Sequence, residues 1–186
     1  VQRFTHRMAR ALDASDIKPG KHVAILAEND PMAFACVLAI SRAANVWCPI
    51  NPRNEAAENA YVLDHFDCAA LIFHSKFAAL VAQLLPDLPQ LKCLVCLDAP
   101  QDFALSLDDW LKNVDDAPLA AEPVDDLAII AGTGGTTGTP KGVMVTHRGI
   151  ARLVQAPRFV ELGEADTVLQ LAPLGFDAST LEIWGA

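Results

Sequence analysis

Short apolar segments alternate with helical patterns through the first hundred residues. The predicted strands are "HVAIL" (22–26), "NVWCPI" (45–50), "AALIFH" (69–74) and "KCLVCLD" (92–98). Continuous apolar strands separated by helices are typical of parallel sheets that are covered on both faces. The pattern therefore predicts an α/β fold with largely parallel sheets flanked by helices.

The helices between these strands carry recognisable start signals. Proline is favourable in the first helical turn and Asn or Asp can cap it, so a helix is predicted from about Pro31 to Ala44, with Asn29 or Asp30 as its cap. The first ten residues, "VQRFTHRMAR", show the spacing of an amphipathic helix.

The alternation stops in the acidic segment, residues 98–126. It carries nine carboxylates, the single basic residue Lys112 and three prolines. Such a run of charge is usually a solvated surface, so we expect an exposed connecting segment with one short helix, "LDDWLKNV" (107–114). No function is assigned to it.

Three more strands are predicted after the acidic segment. They are "LAIIA" (127–131), "GVMVTH" (142–147) and "TVLQLAP" (167–173), with a helix starting near His147 or Arg148. Each is a short run rich in apolar and β-branched residues, which favours a strand.

Composition excludes several classes of function. Of 186 residues 52% are hydrophobic, which allows a large core, and the net charge of −9 argues against a nucleic-acid partner. No apolar run is long enough for membrane insertion. The five cysteines lie mostly in apolar segments, so we expect buried thiols in a reducing, cytoplasmic setting. Cys93 and Cys96 are three apart on a predicted strand and should face opposite sides of it.

Glycine is concentrated in "AGTGGTTGTPKGVMVTH" (131–147). Five of the chain's 10 glycines lie within residues 132–142, among four threonines and Lys141. A hairpin turn needs one or two glycines. Glycine lets backbone N–H groups approach a ligand closely, and hydroxyls and an ammonium group suit phosphate. The composition favours a polyphosphate cradle, with a plain turn as the alternative.

Two familiar phosphate loops do not fit this spacing. A Walker loop needs Ser or Thr directly after its Gly-Lys pair, whereas Lys141 stands between Pro140 and Gly142. The Gly-x-Gly-x-x-Gly fingerprint fails because Thr137 occupies its third glycine position.

The stretch "TGGTTGTPKG" (133–142) closely resembles the phosphate-binding signature of the AMP-forming adenylating enzymes. This superfamily includes acyl-CoA synthetases, luciferases and the adenylation domains of non-ribosomal peptide synthetases. Its usual loop is Thr-Ser-Gly-Thr-Thr-Gly-x-Pro-Lys-Gly, and eight of the nine defined positions agree. Gly134 replaces the usual serine and removes one hydroxyl donor. Flanking segments such as "KPGKHVAILAEND" (18–30) extend the resemblance over nearly the whole chain.

The resemblance implies a site for ATP with Mg²⁺. Thr136, Thr137 and Lys141 would hold the β- and γ-phosphates, and Thr137 would lie next to the metal. The complete set of implied nucleotide-binding residues is Thr133, Gly134, Gly135, Thr136, Thr137, Gly138 and Lys141.

A second informative stretch is "LQLAPLGFDASTLEIWGA" (169–186), in which "FDAS" resembles a motif of amino-acid adenylation domains. There the aspartate binds the substrate's α-ammonium group, which implies that role for Asp177. Ser179 and Glu182 have capping-box spacing, so a helix is predicted to start at Ser179. Asp177 would then lie just before this helix, on a loop at the end of the predicted strand 167–173, either as a substrate ligand or as an alternative cap.

The same resemblance places other residues around the substrate. Ala178 and Leu181 would line the side-chain pocket, and this small apolar lining favours a hydrophobic amino acid. Phe176 would lie beside the carboxylate site, unless it is a core residue.

The implied reaction joins a carboxylic acid to ATP, giving an acyl-adenylate and pyrophosphate, then transfers the acyl group to a thiol. The thiol would be CoA or a phosphopantetheine arm on a carrier protein. The substrate that the resemblance favours is an amino acid. The alternatives are an acyl-CoA synthetase for a fatty or aryl acid and a catalytically inert nucleotide-binding fragment.

The resemblance also implies that residues 1–186 are a partial adenylation domain, the N-terminal portion of the family fold. The family's adenine and ribose contacts, hinge and catalytic lysine would lie beyond Ala186. No catalytic residue is therefore assigned within the chain, and we expect the chain alone to be inactive.

Overall fold

The computed structural model describes residues 1–133, 141–155, 160, 163 and 165–185. Its helices are α1 Gln2–Ala14, α2 Pro31–Arg42, α3 Ala56–His65, α4 Ala78–Leu84, α5 Leu107–Trp110, α6 His147–Val154 and α7 Ser179–Trp184. Its strands are β1 His22–Leu26, β2 Val46–Pro49, β3 Cys68–Phe73, β4 Cys93–Cys96, β5 Leu105–Ser106, β6 Leu127–Thr133 and β7 Lys141–Thr146. Apart from β5, which was not predicted, the predicted order of elements is confirmed as far as the start of α6.

The strands of the described residues form one sheet in the order β5-β4-β3-β1-β2-β6-β7. Neighbours from β5 to β6 are parallel, and β6 and β7 form an antiparallel hairpin. This confirms the largely parallel α/β architecture, although as a single sheet.

Both faces of the sheet are buried at its central strands. Along β1, Val23 and Ile25 face α1 and α2, while Ala24 and Leu26 face α3 and α4. Because successive strand residues point to opposite faces, a strand covered on both sides must be apolar throughout. This is why the central strands show no alternation of polar and apolar residues.

Hydrogen-bonded caps fix two helix starts that border the carboxyl edge of the sheet. The Asp30 carboxylate accepts hydrogen bonds from the N–H groups of Met32 (2.7 Å) and Ala33 (3.2 Å), so Asp30 is the cap of α2. Helix α3 begins with a capping box between Glu55 and Glu58, which was not predicted from the sequence.

The predicted burial of the cysteines and the opposite faces of Cys93 and Cys96 are confirmed. All five are buried, unbonded thiols, and Cys93 and Cys96 belong to the cores on opposite faces of the sheet. Burial raises the pKa of the Cys36 and Cys93 thiols. Hydrogen bonding with Cys68 raises the pKa of the Cys48 thiol, and its burial raises this pKa further.

The predicted strand at 167–173 is wrong. Residues 167–173 form no strand, and Leu169 and Leu171 are 72% and 73% exposed. A strand forms only when a neighbour supplies its hydrogen bonds. Here the backbone of Leu171 and Ala172 is bonded instead by side chains, as described for the site below.

The acidic segment is less exposed than predicted. Residues 105–111 add the edge strand β5 and the short helix α5, and they bury Leu107, Trp110 and Leu111. The Trp110 indole donates a 2.9 Å hydrogen bond to Ser15 Oγ. The cause is a local apolar pattern at residues 107, 110 and 111, which the overall charge concealed.

Arginines of α1 bind residues 111–116 of the acidic segment. Arg10 pairs with Asp115 at 2.8 Å, and Arg3 pairs with Asp116. Arg7 donates hydrogen bonds to the carbonyls of Leu111 (2.7 Å) and Val114 (3.0 Å). The acidic segment is therefore docked along the first helix.

Among the helices within the described residues, none is both long and apolar enough to cross a bilayer.

Two glycines that face each other on the β6–β7 hairpin provide a test of the packing. A Cβ on Gly142 would lie 2.8 Å from Phe66 Cε1 and 2.9 Å from Ile130 Cγ2, whereas a Cβ on Gly132 would meet nothing within 4 Å. Since Phe66 and Ile130 are buried, they cannot yield easily.

We expect Gly142→Ala to lower the free energy of unfolding by about 1–3 kcal/mol through overpacking. The matched change Gly132→Ala should be neutral or stabilise by up to roughly 1 kcal/mol, because alanine restricts the unfolded chain. Denaturant unfolding of both variants measures the difference. Equal effects would contradict the close contact at Gly142.

Candidate functional site

The β6–β7 hairpin places the ends of the glycine-rich loop side by side. Thr133 ends β6 and pairs with Lys141, the first residue of β7, and Thr133 Oγ1 donates to the Lys141 carbonyl at 3.4 Å. Both residues are exposed. The loop therefore leaves the sheet at a fixed register, with one hydroxyl and one ammonium group where it starts and ends.

The other predicted phosphate-binding residues lie outside the described residues. These are Gly134, Gly135, Thr136, Thr137 and Gly138. The predicted metal contact therefore also lies outside the described residues, because it was assigned to Thr137. The strands before and after these residues, β6 and β7, are antiparallel. The connection between them is therefore a hairpin connection, as the alternative of a turn requires. It spans residues 134–140, which is longer than the tight turns that need one or two glycines.

Helix α7 starts at Ser179, as predicted, but the predicted capping box is wrong. Ser179 is the first helical residue rather than the cap, and its Oγ donates to the carbonyls of Phe176 (2.7 Å) and Leu174 (3.2 Å). Glu182 accepts hydrogen bonds from the backbone of Leu171 and Ala172 instead. The spacing identified the helix start, but both side chains form hydrogen bonds outside the first turn of the helix and not the capping box.

Asp177 lies in the turn just before α7, and its side chain is exposed. Within the described residues no side chain caps this helix, so the cap alternative for Asp177 is wrong. Phe176 is 61% exposed, so the core alternative for it is wrong as well. Both side chains are accessible to a ligand.

One pocket of about 400 Å³ joins the hairpin to this turn. Gly132 and Thr133 line it from the hairpin, and Phe176 and Asp177 line it from the turn. Its walls are mostly apolar, from Trp47, Val62, Ile129, Ala131, Val143, Val145 and Leu174. A mostly apolar cleft with a few convergent polar groups is the usual form of a small-molecule site.

The remaining predicted substrate residues are placed differently. Ala178 and Leu181 are not among the described residues that line this pocket, whereas Ser179 and Thr180 are. The side-chain lining inferred from the resemblance therefore does not coincide with this cavity.

Sequence reasoning missed the polar residues that follow β2. Asn51, Asn54 and Glu58 line the pocket, and Glu58 also accepts a 3.2 Å hydrogen bond from the Glu55 N–H. They lie at the carboxyl end of a central strand, where parallel sheets usually bind ligands. Applying that rule to "INPRNEAAE" (50–58) would have found them.

A second cavity of about 580 Å³ adjoins the first. Glu28, Arg53 and Lys76 line it, with Glu28 and Lys76 forming an ion pair. That ion pair lowers the pKa of the exposed Glu28 carboxyl. Asn51, Gly175 and Phe176 line both cavities, so the two cavities are neighbours at the turn before α7.

Comparison with known proteins agrees with this geometry. The family model described as AMP-binding enzyme matches residues 1–186. Gramicidin S synthase 2 of Brevibacillus brevis is 31% identical over 182 residues, covering 97% of this chain and 4% of that protein. Tyrocidine synthase 3 of Brevibacillus parabrevis is 32% identical over 173 residues, covering 92% of this chain and 2% of that protein. The chain thus spans a small part of these relatives.

Solved structures show the same fold. A crystal structure of the non-ribosomal peptide synthetase FmoA3, described as the α-methyl-L-serine-AMP bound form, is 27% identical with a TM-score of 0.76, over 99% of this chain and 19% of that one. A putative long-chain-fatty-acid CoA ligase from Rhodopseudomonas palustris has a TM-score of 0.82 over 98% of this chain and 47% of that one, and at 24% identity it supports the fold alone. Since the family model covers every residue, the chain belongs to the AMP-binding enzyme family.

Proposed function

We propose that the protein uses ATP to convert a carboxylic acid into its acyl-adenylate and then transfers the acyl group to a thiol. The acid that we favour is an amino acid. The observation that carries this proposal is the shared pocket. Thr133, at the start of the glycine-rich loop, and Asp177 line the same cavity. A nucleotide held by the loop and an acid held near Asp177 would therefore meet.

The chemistry explains why both groups are needed. A carboxylate is a poor electrophile, and a mixed anhydride with AMP has a good leaving group. A carboxylate oxygen attacks the α-phosphorus of ATP while the bond to pyrophosphate breaks, and a thiolate then attacks the carbonyl carbon as AMP leaves. Such transfers depend mainly on positioning and on neutralising charge.

The hairpin supplies part of that neutralisation. Lys141 places an ammonium group at the end of the loop, opposite Thr133. Lysine acts on phosphate as a point charge, and Thr133 adds a hydroxyl donor. Mg²⁺, when bound, would share the phosphate charge. Its contact to Thr137 stays a prediction, because that residue lies outside the described part of the chain.

Asp177 favours an amino acid over other acids. A carboxylate on a pocket wall pairs well with an ammonium group, and the pocket's apolar walls lower the local dielectric once a ligand excludes water. The two relatives named as synthases of gramicidin S and tyrocidine, and the amino-acid adenylate in the FmoA3 structure, support the same choice. A phosphopantetheine arm on a carrier protein is the corresponding thiol, with CoA as the alternative.

An acyl-CoA synthetase acting on a fatty or aryl acid is the second candidate, favoured by the apolar walls of the pocket. Pyrophosphate exchange with a panel of amino acids and fatty or aryl acids separates the two, because only an amino acid carries the α-ammonium group. Exchange restricted to acids without that group would contradict the amino-acid proposal. ATP binding without exchange for any acid would indicate an inert nucleotide-binding module.

We expect Lys141→Ala, in the complete protein, to lower kcat/KM for ATP by roughly 10- to 100-fold, the effect of losing a charged hydrogen bond worth about 1.5–3 kcal/mol. Pyrophosphate exchange at varied ATP concentration measures it. Lys112→Ala, an exposed lysine of the acidic segment, is the matched control and should leave the kinetics unchanged. Unaltered kinetics for Lys141→Ala would refute its phosphate role.

We expect Asp177→Asn to raise the KM for the amino acid by roughly 10- to 100-fold, because a neutral amide cannot pair with the ammonium group. The KM for ATP should change less than twofold. Asp102→Asn, an exposed carboxylate elsewhere on the surface, controls for the loss of one charge. An unchanged amino-acid KM would remove the assigned role of Asp177.

A further inference from the structure

The turn that carries Phe176 and Asp177 is held outside the sheet by side chains. Residues 171–174 pair with no strand among the described residues, yet their backbone groups are hydrogen-bonded. Gln170 and Ser179 make two of these bonds from positions close by in the sequence. Asn29 and Glu182 make the others, and neither of these two belongs to the "FDAS" motif around Asp177.

Asn29 joins the turn to the sheet. It lies three residues after β1, at the carboxyl edge. Its Nδ2 donates to the carbonyls of Leu171 (3.2 Å) and Ala172 (3.1 Å), and its Oδ1 accepts from the Leu174 N–H (3.1 Å). One amide thus uses both donors and its acceptor on the same short segment.

Glu182 closes the turn from its other end. Its Oε2 accepts from the N–H groups of Leu171 (3.0 Å) and Ala172 (2.9 Å). Because Glu182 lies on α7, these two bonds link the segment before Asp177 to the helix after it. Hydrogen bonds to a charged acceptor are stronger than those between neutral groups.

The remaining contacts leave the turn little freedom. A Cβ on Gly175 would lie 3.3 Å from the Ile50 carbonyl and 3.4 Å from Asn51 Cα, so the turn runs close against the chain after β2. Ser179 Oγ bonds inside it, to the carbonyls of Leu174 and Phe176. Asp177 sits at the far point of a closed loop anchored at residues 171–174 and 182.

We propose that Asn29 and Glu182 are positioning residues that set where the Asp177 carboxylate meets the substrate's ammonium group. The inference rests on the proposed function, since it assigns them to the acid side of that reaction. Neither residue lines the 400 Å³ pocket, although Asn29 lines the adjoining 580 Å³ cavity, and both are bonded to the backbone of 171–174, through which they act on Asp177. The nucleotide side is held by a different element, the β6–β7 hairpin.

The turn before α7 and the β6–β7 hairpin are held by different contacts, which predicts that the variants affect one substrate and not the other. A misplacement of about 1 Å at a reacting group can cost roughly 100-fold in rate. Loss of Asn29 or Glu182 frees the segment before Asp177 but leaves the pairing of Thr133 with Lys141 intact. The amino-acid KM should therefore respond and the ATP KM should not.

The test compares Asn29→Ala and Glu182→Ala with the unaltered complete protein in pyrophosphate exchange, varying amino acid and ATP separately. We expect the amino-acid KM to rise about tenfold or more, with the ATP KM changed less than twofold. Glu182→Gln should recover most of the affinity, because its carbonyl oxygen can accept the same two N–H bonds. Asn29→Asp should not, because it loses both donors while keeping the size of the side chain.

Controls distinguish positioning from folding. Glu122→Ala removes an exposed carboxylate of the acidic segment and should change neither KM. Thermal unfolding is recorded for every variant. If the alanine variants do not fold, the near-isosteric variants Glu182→Gln and Asn29→Asp still test the inference. Glu182→Gln should then have a near-normal amino-acid KM, and Asn29→Asp should have a raised one.

Two failures have separate meanings. In the first, the wild-type protein exchanges with amino acids, but the variants show an unchanged amino-acid KM or equal rises in both KM values. That result would overturn the positioning role alone. Wild-type exchange only with acids lacking an α-amino group would overturn the amino-acid proposal together with this role. A raised amino-acid KM at constant ATP KM, rescued by Glu182→Gln, supports both.

Discussion

The need to bury both faces of a parallel sheet determines the rest of this structure. Every crossover from one parallel strand to the next must pass over a face, so α2 covers one side, where α1 joins it, and α3 and α4 cover the other. With both faces covered, polar ligand-binding groups can gather only at the edge where the strands end. Asn29, Asp30 and Asn51 all follow strand ends there, and so does the pocket wall after β2.

The sequence predicted this scaffold well because its signals are local. Asp30 and Pro31 determine the start of α2 whatever lies around them. Cys93 and Cys96 face opposite cores because strand geometry requires it. The apolar runs 22–26 and 69–74 became central strands because they can be buried on both sides.

The errors arose where a local signal depended on a distant partner. Residues 167–173 have a strand-like composition, but Asn29, more than a hundred residues earlier, bonds part of their backbone. Ser179 and Glu182 have capping-box spacing, yet the hydrogen-bonded box is at Glu55 and Glu58. Spacing states which bonds are possible, and tertiary contacts determine which of them form.

The docking of the acidic segment on α1 has a consequence for synthesis of the chain. Arg3 and Asp116 are 113 residues apart, and Trp110 and Ser15 are 95 apart. A ribosome-bound chain that has not yet reached residue 116 therefore carries α1 with its arginines unpaired. Exposed ion pairs contribute at most about 1 kcal/mol each. Burial of the Trp110 and Leu107 side chains consequently supplies most of the docking energy, and it becomes available only after residue 110 has been synthesised.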